Sequence, residues 1–245
     1  MRPGRVFLSG LFFGLISASY LAGQAPAAAP GSLRSVEGLS ARFRVLGHAS
    51  VYFLYQGKSI YVDPWGQQAD YAALPKASVI LITHEHGDHL DRQAIGKIRT
   101  ENTVLIVTEK CNPAGLNALA MRNGEKKTVQ GIEIEAVPAY NLANKRPDGQ
   151  PFHPKGEGNG YVLTFDKKRV YVAGDTENIP EMASLKEITL AFLPMNLPYT
   201  MSPAMTSKAA LSFQPRFLML YHYGQASFQE LKGLLQDKGI TVLEP

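Results

Sequence analysis

Val79-Ile80-Leu81-Ile82-Thr83-His84-Glu85-His86-Gly87-Asp88-His89-Leu90 is the stretch on which the fold of this chain turns. Its first half is an unbroken run of aliphatic and β-branched residues, the pattern of a strand buried on both faces. It breaks at once into a loop that packs three histidines and two acids into six positions. Such a loop serves neither a core nor a simple turn. Imidazole nitrogen and carboxylate oxygen are the donors that a borderline-soft divalent ion such as zinc prefers.

The spacing says more than the composition. His84, His86, Asp88 and His89 form H-x-H-x-D-H, and Gly87 allows the tight fold that aims several side chains inward. Four ligands so close in sequence would crowd a single ion. The expectation is two adjacent ions, with His84 and His86 on the first and Asp88 and His89 on the second. The stretch resembles the signature loop of the metallo-β-lactamase superfamily of zinc hydrolases. The resemblance extends over about residues 41–245. It implies an αββα fold, an α/β (α+β) sandwich of two mixed sheets flanked by helices.

At 245 residues, with 45% hydrophobic and 19% charged side chains, the chain has ample material for a packed core and is no candidate for disorder. Its formal charge is +4; without Arg2 and Arg5, 23 basic residues face 21 acidic ones, or +2. No basic run interleaved with aromatics occurs, so nothing marks a nucleic-acid partner. Cys111 is the only cysteine, which excludes an intramolecular disulfide and a thiolate metal site. It reads as a small buried residue rather than a nucleophile.

Residues 1–24 have the secretory pattern: Arg2 and Arg5, an apolar run over 6–16, then small residues around Ala22-Gly23-Gln24-Ala25. The expectation is an exported protein, periplasmic or secreted, with no stable membrane insertion once the signal is cleaved. An uncleaved anchor is the alternative, the run being near the shortest that spans a bilayer. Residues 25–40 read as a flexible leader and 41–245 as the hydrolase domain.

Strands are expected at 42–46, 50–55, 59–64, 79–83, 103–107, 131–137, 160–165, 169–173, 189–193, 216–221 and 240–243. Helices are expected at 91–99, at 113–121 with Asn112 as N-cap and Pro113 at N1, and at 203–213. A further helix at 225–238 follows from the period of Phe228, Leu231, Leu234 and Leu235, with Gly239 as its C-cap.

Two ions need about three ligands each, so other segments must complete the loop. Asp175 ends an apolar strand in Gly174-Asp175-Thr176, where a carboxylate can bridge two ions; a helix cap is the alternative. It matches the bridging aspartate of the superfamily. His222 ends the strand Phe217-Leu218-Met219-Leu220-Tyr221, and the resemblance assigns it to the second ion with Asp88 and His89. The superfamily's remaining ligand is mostly a histidine just after a strand, where this chain has Val137-Pro138-Ala139-Tyr140-Asn141. Asn141 is the strict match and a poor zinc ligand. His153, twelve residues on, is assigned to the first ion; the alternative leaves His153 to the substrate.

Asp63, at a strand end beside Pro64, is placed to orient a ligating imidazole. His48 lies in Gly47-His48-Ala49-Ser50, which resembles a turn of the subgroup containing ascorbate-phosphate lactonases and N-acyl-phosphatidylethanolamine phospholipases D. Gly174-Asp175-Thr176, Leu193-Pro194 and Tyr199-Thr200-Met201 resemble that subgroup too. Tyr199 therefore either faces the substrate or packs within its loop.

The implied activity is metal-dependent hydrolysis. Two divalent ions, zinc expected and manganese or iron as alternatives, would hold a bridging water and bring its pKa toward neutrality. Asp88 is the expected catalytic residue, ligating one ion and orienting the nucleophile. Neither a G-x-S-x-G elbow nor a reactive-cysteine setting is present. The expected partner is a small-molecule substrate: an ester, a lactone or a phosphodiester, with β-lactams also open. An iron-dependent redox enzyme on the same fold and a non-catalytic metal-binding protein are the rival readings.

Overall fold

Gln56 and Gly57 have φ of 48° and 75°, the left-handed pair that a two-residue hairpin loop requires. They join β2 (Ser50–Tyr55) to β3 (Lys58–Val62), and β1 (Arg42–Gly47) pairs antiparallel with β2 on the other side. The structure is a computed structural model that describes Met1 and residues 32–244. The expected signal segment beyond Met1, and the first part of the expected leader, lie outside the described residues. After β3 the pairing becomes parallel, through β4 (Val79–Leu81), β5 (Val104–Val107) and the short β6 (Leu119–Ala120).

The second half repeats this plan. Strands β7 (Lys126–Val129), β8 (Ile132–Ala139), β9 (Gly158–Phe165) and β10 (Lys168–Val172) are antiparallel. Strands β11 (Ile188–Met195), β12 (Phe217–Tyr223) and β13 (Thr241–Leu243) then add in parallel. The result is a six-stranded sheet, β1 to β6 in order, facing a seven-stranded sheet, β7 to β13 in order.

Between the sheets lies one apolar layer that includes Phe43, Phe53, Leu81, Ile134, Leu163 and Phe192. Phe192 stands edge-on to both Phe43 and Phe53, at 5.4 and 5.6 Å between ring centroids. Helix α1 (Arg92–Ile98) covers the outer face of the first sheet with Ala94, Ile95 and Ile98. It starts where the Asp91 carboxylate accepts from the backbone N–H groups of Gln93 and Ala94. On the outer face of the second sheet lie α3 (Pro203–Phe213), capped by Ser202 with Pro203 at N1, and α4 (Phe228–Leu234). The expected αββα sandwich is the fold.

Two helices are shorter than the sequence predicts. The segment expected at 113–121 is α2 (Pro113–Leu116), with Asn112 and Pro113 in their expected roles. Asn117 turns left-handed at φ 48°, and the residues beyond it supply β6 to the sheet edge. The segment expected at 225–238 is helical only over α4, from a Ser227 cap to Leu235. Gly233 weakens its last turn, and Gly239 at φ 75° closes the turns that follow rather than the helix. Strand β7 was not expected: it is a largely exposed edge of lysine and threonine with little apolar alternation to mark it. Among the described residues no helix is long and apolar enough to cross a membrane.

Candidate metal centre

The carboxyl ends of six strands lead into the site: His48 follows β1, Asp63 follows β3, Thr83 and His84 lie just past β4, Asn141 just past β8 and Asp175 just past β10, and His222 is the next-to-last residue of β12. Three of these polar positions, His48 (φ 48°), Asp63 (φ 44°) and His222 (φ 44°), take left-handed backbone, uncommon outside glycine and found where surrounding structure holds it. Gly174, at φ 70°, makes the turn that presents Asp175; a Cβ there would stand 2.7 Å from the Asn159 carbonyl. The two sheets are stitched together beside the site: Asn159 N–H donates to Thr83 O and Tyr161 Oη to Ile82 O, both at 2.8 Å.

Asp175 lies at the middle. Its Oδ2 is 3.1 Å from His222 Nε2, 3.4 Å from His153 Nε2 and 3.6 Å from His89 Nε2. On one side His84, His86 and His153 form a cluster, with His84 Nε2 and His86 Nδ1 3.0 Å apart. On the other, Asp88, His89 and His222 gather with His48. In each cluster the donor atoms lie within 4.8 Å of one another. Three atoms in this region, His89 Nε2, Asp175 Oδ1 and His222 Nδ1, are buried with no hydrogen-bond partner among the described residues. A buried polar atom without a partner is costly, and His89 Nε2 and Asp175 Oδ1 belong to the clustered donors, where a cation would satisfy them.

The outer hydrogen bonds fix which imidazole nitrogen faces the centre. Asp63, fully buried, accepts from Thr83 N–H (2.8 Å), Thr83 Oγ1 (2.6 Å) and His89 Nδ1 (2.8 Å). The Thr83 hydroxyl has then spent its one proton, so at 3.0 Å it accepts from His84 Nδ1–H. His153 Nδ1 donates to Asn141 Oδ1 at 2.8 Å. With these three protons placed, His84, His89 and His153 all turn a bare Nε2 inward, the form that binds a metal. The donor set fits two divalent ions, with His84, His86 and His153 able to hold one, Asp88, His89 and His222 the other, and Asp175 between them.

The electrostatics agree. Burial holds the His84 imidazole well below the usual histidine value and, partly offset by Asp175, brings His153 to about 4. Burial acts the same way on His89, but the carboxylates of Asp175 and Asp63 outweigh it and raise this imidazole to about 9. Positive charge is therefore favoured where Asp63, Asp88 and Asp175 surround His89. Burial works against ionisation of both acids of the centre. At Asp88 the hydrogen bond from His48 (2.9 Å) and the nearby His89 overcome it, and at Asp175 His222 and His89 do. Both carboxyls are held below the usual carboxylate range.

The remaining expected residues fall in two places. Asn141 is buried behind His153, whose backbone N–H (2.8 Å) also donates to Asn141 Oδ1. It seats the histidine and stands away from the cavity. Tyr199 is exposed on the wall of a cavity of about 400 Å³, in edge contact with Phe152 at 5.1 Å. His48, His86, Asp88, His153, Asp175 and His222 line the same cavity.

Two residues with roles here were not singled out from the sequence. Thr83 links Asp63 to His84. Glu177, buried, accepts from Asn141 Nδ2 (3.2 Å), Ala143 N–H (2.9 Å) and Asn144 N–H (2.6 Å), and so anchors the loop that carries His153. Its only signal was an acid two places beyond Asp175.

A family profile described as a beta-lactamase superfamily domain matches residues 42–222. A UPF0173 metal-dependent hydrolase of Thermococcus onnurineus is 34% identical over 225 residues, 83% of this chain and 96% of that protein. A crystal structure of a candidate metal-dependent hydrolase from Parabacteroides distasonis is 46% identical, with a TM-score of 0.79 over 83% of this chain and 91% of that one. The metallo hydrolase Igni18 of Ignicoccus hospitalis, at 21% identity and a TM-score of 0.67 over 84% of this chain and 95% of that one, shares the fold. The chain belongs to the metallo-β-lactamase superfamily, among its UPF0173 metal-dependent hydrolases.

Proposed function

We propose that this hydrolase is dinuclear and zinc-dependent and cleaves an ester, a lactone or a phosphodiester of a small molecule. The observation that carries the reading is the set of inward Nε2 atoms on His84, His89 and His153, each fixed by a proton given away on its far side, around a carboxylate with an unpartnered oxygen. Ions held by His84, His86, His153, Asp88, His89, His222 and Asp175 would supply Lewis acidity, bringing water to nucleophilic form near neutral pH and polarising the scissile carbonyl or phosphoryl group.

The protein's own groups do the rest. Asp88, ionised and held by His48 Nε2–H, keeps one carboxylate oxygen committed to orientation. His48 is itself fixed by its carbonyl, which accepts from His222 N–H at 2.7 Å. Asp63 and Asn141 hold the imidazoles against rotation, so the donors meet the cation without reorganising. Phe152 and Tyr199 give the cavity an apolar wall on which the non-reacting part of a substrate can lie. The lactone and phosphodiester classes follow from the turn at Gly47-His48-Ala49-Ser50 and the other short matches to the lactonase and phospholipase D subgroup.

Elemental analysis of the purified protein beside His153→Ala tests the metal centre, and turnover of 4-nitrophenyl acetate and bis(4-nitrophenyl) phosphate before and after chelation tests the chemistry. About two zincs per chain, falling toward one in the variant, with turnover abolished by chelation, is the expected result. Iron in place of zinc would move the reading to redox chemistry, and no metal would refute it. We infer export from Arg2, Arg5 and the apolar run at 6–16; N-terminal sequencing of the mature protein tests it.

A further inference from the structure

Arg146 is the cation of the cavity wall that the hydrolytic centre does not use. It lines the cavity of about 400 Å³ together with His86, Asp88, His153, Asp175 and His222. Its Nη2 donates to the Phe152 carbonyl at 3.2 Å, and its guanidinium carbon lies 5.7 Å from the centre of the Phe152 ring. The same Nη2 stands 3.4 Å from His86 Nε2. If His86 turns Nδ1 to the centre, as its 3.0 Å approach to His84 Nε2 implies, its Nε2 carries a proton and cannot accept from arginine. Among the described residues Phe152 O is then the one protein acceptor for a group with five N–H donors. Among the described residues, Arg146 forms no ion pair with a carboxylate.

The position is built rather than incidental. Arg146 sits in a small hairpin closed by the Lys145–Pro151 bridge, by Arg146 N–H to Gln150 O (2.7 Å) and by Gly149 N–H to Arg146 O (2.9 Å). The foot of that hairpin is Asn144, whose N–H donates to buried Glu177 and whose Nδ2 donates to Thr200 O at 2.8 Å. An arginine pinned on an aromatic ring at the edge of a polar cavity, with its fork unfilled, is suited to bidentate capture of an oxyanion.

We propose that Arg146 binds a second, anionic group of the substrate, a carboxylate or phosphate held on the cavity wall beside His86. The substrate class becomes an anionic small molecule whose charge lies a few bonds from the ester, lactone or phosphodiester linkage. The identity of that reacting bond, and the zinc that seats the first carboxylate of the probe, rest on the hydrolase reading above; the unfilled guanidinium does not.

The test is calorimetric titration of the zinc-loaded protein with acetate and with glutarate at constant ionic strength, in the wild type, Arg146→Gln and Arg146→Lys. One carboxylate of glutarate can occupy the centre as acetate does, and the other can reach the guanidinium. Glutarate is expected to bind about tenfold or more tighter than acetate in the wild type, well beyond its twofold statistical advantage. The ratio should fall below about threefold in Arg146→Gln and stay intermediate in Arg146→Lys, which keeps the charge and loses the fork. A wild-type ratio under threefold, glutarate binding too weak to detect, or a tenfold ratio that survives Arg146→Gln would each overturn the proposal. Titration needs no turnover, so the two readings fail separately: glutarate selectivity lost with Arg146 in a protein that cleaves no ester or phosphodiester would refute the reaction and leave the subsite standing.

Discussion

Replacing Asp63 by Asn tests whether the centre depends on the direction of a proton. Asp63 Oδ2 accepts from two donors, Thr83 Oγ1 at 2.6 Å and His89 Nδ1 at 2.8 Å, in a fully buried setting. An amide has one oxygen, already required by Thr83 N–H at 2.8 Å, so its NH₂ must face both of these donors. Thr83 can rotate its hydroxyl to accept. His89 can avoid the clash only by moving its proton from Nδ1 to Nε2, which removes the lone pair from the side facing Asp175. A lost hydrogen bond to a charged group is about 1.5–3 kcal/mol, or roughly 10- to 150-fold, in line with the 10- to 100-fold in metal affinity usual for such outer partners. Competition titration of zinc against a chromophoric chelator should therefore show one of two sites, the one that His89 serves, loosened by about 10- to 100-fold. Asp63→Ala is the control, because it leaves the imidazole free to keep its proton on Nδ1 toward water. Asn should be at least as damaging as Ala despite matching Asp in shape. Zinc affinity in Asp63→Asn within threefold of wild type would sink the argument from tautomers.

Removing metal should lower the melting temperature by roughly 16–32 °C if each of two ions is present at about a thousand times its dissociation constant, since binding to the native state alone then adds about 4 kcal/mol per site, or about 8 kcal/mol in all; a shift under 2 °C on chelation would contradict this. Phe192→Ala should destabilise by about 3–5 kcal/mol in urea titration, because the ring fills the layer between the sheets against both Phe43 and Phe53; a loss under 1 kcal/mol would mean the layer collapses around the gap. Burial pushes the Cys111 thiol above its ordinary value, so little thiolate exists at pH 8. Iodoacetamide should label the folded protein about 100-fold more slowly than the guanidine-unfolded chain, and labelling at similar rates would show that the site opens.

The metal loop was legible because its donors are neighbours in sequence: H-x-H-x-D-H follows a strand that only burial explains. Asp63 and Asp175 were legible for a related reason, each being an acid at the end of an apolar run where a core would exclude it. What stayed hidden is what depends on distant partners. Thr83 is one more residue of a buried strand until Asp63, twenty positions earlier, takes its proton. Glu177 looks like a surface acid until the fold brings residues 141–144 against it, more than thirty positions away. Arg146 lies among Lys145, Pro147, Asp148 and Gly149, where no period of apolar residues places a side chain. The helix ends failed similarly: apolar period marked the 225–238 segment, but Gly233 and the backbone at Leu235 decide where it stops.

The first cluster draws one of its imidazoles from an unusual place, and the surrounding bonds account for how. A histidine just past the end of β8 would be aimed by the strand that leads to it, but that position holds Asn141. His153 comes from a loop, which has no ladder to fix it. The seat is built instead from Asn141, whose Oδ1 accepts both the backbone N–H and the Nδ1 of His153, while its own N–H donates to the His153 carbonyl at 2.9 Å. Asn141 Nδ2 is held in turn by Glu177 and by the Tyr199 carbonyl at 2.9 Å. Loss of any one of these groups would leave buried polar atoms unpaired, so the seat is rigid as a unit. The same loop carries Arg146 and Phe152 between Asn141 and His153. An ion held at His153 and a substrate held at the cavity wall would thereby depend on one mechanical element, and a substitution that frees the hairpin from Glu177 would disturb both.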